Sequence, residues 1–169
     1  ALGSGALGLD DLGSFTTAIG RGALAKQNYA SATNSFNTAV GANAGEEVTT
    51  GTRNTFLGSL AGDAVTTVNS NTAIGYDAGG ANQTGTRTTF VGDSAGSNST
   101  VSDNTFIGQN AGSTVTSGDA NTILGRFDGN TGGLDIRTSS NNVVLSDGDG
   151  NPRVIIDGSG NLFVGKTSS

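Results

Sequence analysis

Asn71-Thr72-Ala73-Ile74-Gly75-Tyr76-Asp77-Ala78-Gly79 decides the fold, because versions of this stretch recur along most of the chain. With the glycine after its apolar pair as marker, the copies fall at Gly3, Gly20, Gly41, Gly58, Gly75, Gly92, Gly108 and Gly125, with steps of 17, 21, 17, 17, 17, 16 and 17 residues. That period is too short for helical-pair repeats, which need roughly 33 to 47 residues. Each repeat therefore predicts one coil of strand and turn. The chain reads as all-β: a parallel β-roll or β-helix solenoid of about eight coils over residues 1–129, each about 17 residues long. Residues 130–169 read as a short β segment that caps the rod or connects it to a following module. At the strand spacing of about 4.8 Å, eight coils make a rod roughly 40 Å long, the shape of a spacer.

Composition narrows the function. The 169 residues include 29 Gly and one Pro, with no Cys, His, Met or Trp, and only 13% are charged. Without His and Cys, the commonest general base and the usual soft metal ligands are missing. We therefore expect no enzyme activity, no catalytic residues, no metal site and no cofactor. Eight Lys plus Arg against fourteen Asp plus Glu give a net charge of -6. The basic residues are scattered singly, whereas phosphate neutralisation needs them clustered, so no nucleic acid is expected as partner. No apolar run approaches the ~18 residues of a membrane span, and membrane insertion is not expected. The chain starts inside a repeat, since Ala1-Leu2-Gly3 aligns with Ala18-Ile19-Gly20. That start reads as a piece of a longer protein.

Within each block, side chains alternate between the two faces of the strand. The residue before the glycine is always aliphatic: Ile19, Val40, Leu57, Ile74, Val91, Ile107 and Leu124. Its constant size predicts the core of the coil. The residue before that varies in bulk, as Ala18, Ala39, Phe56, Ala73, Phe90, Phe106 and Ile123. A surface that tolerates such variation predicts a contact between neighbouring chains, the alternative being a looser part of the same core. After the glycine, the recurring Ala-Gly pair (Ala44-Gly45, Ala61-Gly62, Ala78-Gly79, Ala95-Gly96, Ala111-Gly112) suits a cramped bend. Asn37, Asn54, Asn71, Asn104 and Asn121 head the blocks and either bond local turns or stack as a ladder along the axis. Val65-Thr66-Thr67-Val68 and Ser113-Thr114-Val115-Thr116 read as a second, more polar strand. Each coil carries only two or three sizeable apolar side chains, too few to offset the entropy of ordering it. Burial between chains is the expected further source, and the chain is expected to be an obligate oligomer.

Other features read as structural when weighed one by one. Arg53 and Arg87 recur in a two-coil duplication (Thr50–Phe56 against Thr84–Phe90) and read first as copying, second as a binding row for acidic sugars. The longer coil between Gly20 and Gly41 holds Tyr29, a candidate surface contact. Gly3-Ser4-Gly5-Ala6-Leu7-Gly8 has the dinucleotide spacing but is explained by the repeat. Asp147, Asp149 and Asn151 open like a calcium loop, yet Pro152 and Gly158 stand where Gly and Glu are needed, which favours a turn. Gly132-Gly133-Leu134-Asp135 matches a calcium nonapeptide only in part, and once. Glu46-Glu47 and Asp10-Asp11 are adjacent carboxylates that strand geometry would point apart. Asn82-Gln83-Thr84 and Asn98-Ser99-Thr100 are formal glycosylation sequons. Beyond residue 129, Asn142–Ser146, Arg153–Asp157 and Asn161–Gly165 predict three strands joined by Asp-Gly turns.

The repeat around Asn71–Gly79 resembles that of bacteriophage tail fibre proteins, and is similar to the head repeats of trimeric autotransporter adhesins. Residues 141–167, with Ile155-Ile156-Asp157-Gly158-Ser159-Gly160-Asn161-Leu162-Phe163-Val164-Gly165-Lys166-Thr167, resemble the linker before receptor-binding or chaperone modules of phage fibres. The resemblance implies a parallel homotrimer of β-rolls: a structural shaft of an extracellular virion tail fibre that serves host attachment. Its implied partners are its own copies, other fibre or tail modules, and a host surface receptor met through this or an adjoining module. The alternative it implies is the head of a bacterial surface adhesin. A polysaccharide depolymerase rod would need carboxylates clustered on adjacent coils, and Asp63, Asp77, Asp93 and Asp128 share no repeat position.

Overall fold

The computed structural model describes residues 1–165; Lys166 and Thr167, the end of the linker match, lie outside the described residues. Its twelve strands are β1 (Gly13–Ser14), β2 (Thr17–Ile19), β3 (Thr33–Asn34), β4 (Thr38–Val40), β5 (Thr55–Leu57), β6 (Thr72–Ile74), β7 (Thr89–Val91), β8 (Thr105–Ile107), β9 (Thr122–Leu124), β10 (Val143–Ser146), β11 (Pro152–Ile156) and β12 (Leu162–Val164). From β2 to β10, leaving aside β3, each strand pairs in parallel with the next coil's strand, without slippage: aliphatic over aliphatic throughout, and Thr over Thr up to β9, where Val143 takes the place over Thr122. The chain is an all-β solenoid of about eight turns. The antiparallel hairpin β10–β11–β12 continues the same ten-stranded sheet, and β1 and β3 form a separate two-stranded pair.

Apart from the short β1–β3 pair, only one side of each coil is a regular strand. The predicted second strand over Val65–Val68 and Ser113–Thr116 does not form; that side is a run of turns. Its amides bond partly within the coil, as Val65 N to Gly62 O and Val115 N to Gly112 O, so no continuous ladder is left for the next coil. The β-branched residues there serve packing instead, with Val48, Val65, Val115 and Ile136 fully buried.

The marker glycines are the hinge of the stack. Gly75 has φ +131, and a Cβ there would lie 2.3 Å from the carbonyl oxygen of Gly92 in the next coil. The same clash recurs from Gly3 to Gly125, where Ser146 occupies the following slot. The two coils approach too closely at this point for any side chain, so the requirement is steric as well as conformational.

The asparagines bond along the axis and not within local turns. Asn54 N donates to Asn37 Oδ1 at 2.9 Å and Asn71 N to Asn54 Oδ1 at 3.0 Å, while Asn54 Nδ2 donates to Val68 O at 3.0 Å and Asn71 Nδ2 to Gly85 O at 3.0 Å. Each buried amide thus rivets its coil to the next through backbone groups, forming an axial column. Where Thr88 interrupts it, Thr88 Oγ1 donates to Asn71 Oδ1, and Asn82 Nδ2 approaches Thr88 Oγ1 at 3.4 Å. Asn82 is buried in that role, which removes the first sequon from the surface; Asn98 is exposed.

Candidate interaction face

The structure reverses the two faces of the strand. Ala18, Ala39, Phe56, Ala73, Phe90, Phe106 and Ile123, expected between chains, are the interior of the coil and almost wholly buried. Ile19, Val40, Leu57, Ile74, Val91, Ile107 and Leu124, expected in the core, point outward: Leu57 is 46% exposed and Leu124 50%, while Val40, Ile74 and Val91 are half-buried by their row neighbours.

The physical reason is compensation of volume inside the coil. A Cβ on Gly62 would sit 2.2 Å from the Phe56 ring and one on Gly45 2.6 Å from it, so the ring lies over the Ala-Gly corners of two successive coils. Phe90 lies likewise against Gly79 and Gly96. In the coil of Ala18, the small strand residue is matched by Leu24 at the corner, and Leu24 is fully buried. Where strand and corner are both small, as at Ala39 and Ala73, the rings of Phe56 and Phe90 in the next coil lie against the corner glycines Gly45 and Gly79. Phe90 and Phe106 stack on each other with centroids 5.3 Å apart.

The outward face therefore carries two rows. One is Thr17, Thr38, Thr55, Thr72, Thr89, Thr105 and Thr122; the other runs Leu2, Ile19, Val40, Leu57, Ile74, Val91, Ile107, Leu124 and Leu145. In the C-terminal hairpin Val143, Ile156 and Leu162 continue the threonine row, and Val154 and Val164 the aliphatic row, so that end is apolar across its width. A straight apolar stripe the length of the sheet is the kind of surface that marks association. The threonine hydroxyls beside it keep the stripe narrow.

The other candidates have structural roles. Tyr29 is not a surface contact: it is 5% exposed, its hydroxyl donates to Gly51 O at 2.8 Å, and burial raises its pKa. It belongs to a buried polar cluster with Gln27, whose Nε2 donates to Asp10 at 2.6 Å and whose Oε1 accepts from Asn37 at 2.8 Å. Arg87 is held by both oxygens of Asp103 and Arg53 lies 3.5 Å from Ser70 Oγ, so the two arginines do not form an open cationic row. Glu47 pairs with Lys26. Asp147 accepts from the amides of Asp149 and Asn151 and from Arg153, an arrangement that closes a turn and holds its carboxyl down at about 2. Asp157 makes the equivalent turn through Ser159 and Asn161. Asp135 pairs with Arg137. No group of three or more His, Cys, Asp or Glu suited to a metal occurs among the described residues.

Two carboxylates do approach each other across coils although they occupy different repeat positions. A Cβ on Gly80 would lie 2.1 Å from Asp77 Oδ1 and 3.5 Å from Asp63 Oδ1, so the missing side chain at Gly80 lets them meet. Burial first, then Asp77, raises the pKa of Asp63; burial first, then Asp93, raises that of Asp77. A carboxyl whose pKa is raised on folding stabilises the fold below its unfolded value and loses that contribution as pH rises through the folded value. Asp77→Asn is therefore expected to raise the thermal midpoint at pH 7, with the gain shrinking at pH 3; equal gains at both pH values would contradict this reading of the pair.

No protein-family model, no curated protein and no solved structure matches the chain.

Proposed function

We propose that this chain is a shaft segment of a homotrimeric phage tail fibre, in which three solenoids pack in parallel through their Thr/aliphatic faces and hold a host-binding element away from the particle. The observation that carries the proposal is the outward aliphatic row, in register on every coil, on a rod whose repeats present no cluster of catalytic residue types. Three copies about one axis bury three such stripes against one another and leave the turn sides in water. A parallel arrangement brings like rows together along the full length, as a closed symmetric assembly requires. The repeat and linker resemblances favour phage over the second reading, the head of a bacterial trimeric adhesin.

Antibodies raised against residues 1–169 discriminate the two: gold label along fibres of negatively stained virions supports the fibre, and label on bacterial cells supports the adhesin. At the level of assembly, Leu57→Lys with Ile107→Lys is expected to convert the oligomer to monomer or to prevent soluble folding. Thr66→Lys on the turn side is expected to leave the mass unchanged. An unchanged oligomer in the double variant would remove the aliphatic row from the interface.

A further inference from the structure

We propose that the last repeat coils carry a saccharide-binding groove, lined by Asn98, Thr100, Thr114, Thr116 and the Asp135–Arg137 pair. The coil between Gly125 and Ser146 is 21 residues long, four more than most. Within it Ile136 is buried in the core, and Arg137 O accepts from the amides of Thr116, Ser117 and Gly118, which ties this wall of the groove to the preceding coil. The groove is open to solvent and has a volume of about 550 Å³.

The hydrogen-bond inventory of the lining selects the ligand. Asn98 Nδ2 donates to Ser113 O at 2.7 Å, Thr100 Oγ1 to Thr116 O at 3.2 Å and Thr114 Oγ1 to Asp128 O at 2.9 Å. Thr116 Oγ1 reaches Arg137 O at 3.4 Å. Each of these bonds goes to the next coil, which leaves Asn98 Oδ1 and these threonine oxygens as acceptors toward the groove, while the second Nδ2 hydrogen of Asn98 and the hydroxyl of Thr138, which also lines it, remain as donors. Arg137 donates from Nε and Nη2 to Asp135, at 3.0 and 2.7 Å, and keeps its two Nη1 hydrogens and the second on Nη2 as donors. The charges of the lining cancel, so no ionic ligand is selected, and the net charge of -6 disfavours anions further. No aromatic or aliphatic residue lines the groove, and the hydroxyl, amide and charged groups that do line it favour a polar ligand. A neutral oligosaccharide, whose hydroxyls both donate and accept, matches this mixed set of groups.

Without an aromatic platform the single site is weak, and a multivalent array would raise its avidity. The groove lies within one chain and away from the aliphatic row, so binding does not depend on the proposed assembly. The test is saturation-transfer NMR on residues 1–169 with maltotriose, mannotriose, chitotriose and a galactose trisaccharide at millimolar concentration, beside a sulfated trisaccharide and spermidine. Transfer to at least one neutral trisaccharide is expected, weakened about fivefold in Asn98→Ala and again in Arg137→Ala, the weight of one net hydrogen bond each. Both side chains are on the surface, and unchanged melting of the variants separates lost binding from lost fold. No transfer to any neutral trisaccharide, equal transfer in the variants, or variant-sensitive binding only of the sulfated sugar or spermidine would each overturn the proposal.

Discussion

Gly75→Ala is expected to break the solenoid at its middle, with loss of cooperative melting or destabilisation above about 4 kcal/mol, the range reserved for lesions that a packed structure cannot absorb. Two penalties act together at this residue. Its φ of +131 lies where a side chain is strained, and its Cβ would be 2.3 Å from Gly92 O and 2.5 Å from Gly92 C. The obstacle is backbone of the next coil, itself locked by Gly92 N donating to Ile74 O at 2.7 Å, so it cannot step aside without opening the ladder. Gly148→Ala is the control: a Cβ there meets nothing within 4 Å and its φ is ordinary, so a change within about 0.5 kcal/mol is expected. Circular-dichroism melts of the two variants check the pair. Similar midpoints for both would contradict the close approach of the coils at the glycine column.

Asn71→Asp is expected to cost about 3 to 5 kcal/mol at pH 7, the scale of an uncompensated buried charge. Asn71 is 2% exposed; its Oδ1 accepts from Thr88 N and Thr88 Oγ1, and its Nδ2 donates to Gly85 O. Aspartate keeps the acceptor and loses the donor, so a carboxylate oxygen would face the Gly85 carbonyl. Protonation restores a donor, and part of the loss is expected to return as pH is lowered toward 4. Asn71→Ala, which removes the bonds without adding charge, is expected to cost less, about 1 to 3 kcal/mol. Melts of both variants across pH check the order; a midpoint for Asn71→Asp equal to that of the parent at pH 7 would show that the column does not hold the coils together.

The period, the strand and its β-branched content were legible because they are written in single residues at fixed spacing: Thr, aliphatic and Gly recur from Thr17-Ala18-Ile19-Gly20 onward, and all appear as strand and turn. The three C-terminal strands were legible from their Asp-Gly turns. Which face of the strand is inside was not. Constant aliphatics beside a variable Ala/Phe position suggested the opposite of what occurs, because the volume compensation runs between Phe56 and the corner glycines Gly45 and Gly62, and between Ala18 and Leu24. Those pairs are separated along the chain and meet only when the coil closes. Tyr29 misled for a similar reason: its partners Gly51 and Asn37 belong to other parts of the winding. A further regularity had no sequence signal. The residue five before each marker position is left-handed in every coil from Phe15 to Asn141, with φ of 52–63°, although Phe, Arg, Ser, Asp, Ala and Asn share the role. The stack imposes that conformation, and identity at the position stays free for the surface. The Asp63–Asp77 approach likewise depends on the absent side chain of Gly80.

The central claim, that the outward aliphatic row joins three copies, is tested most directly by the mass of residues 1–169 in solution. Light scattering over a range of concentrations is predicted to give three times the 16.6 kDa chain mass, with a denaturation midpoint that rises with protein concentration. A well-folded monomer at micromolar concentration, melting at the same denaturant concentration however dilute, would contradict it and leave the chain a solitary solenoid with an open apolar stripe.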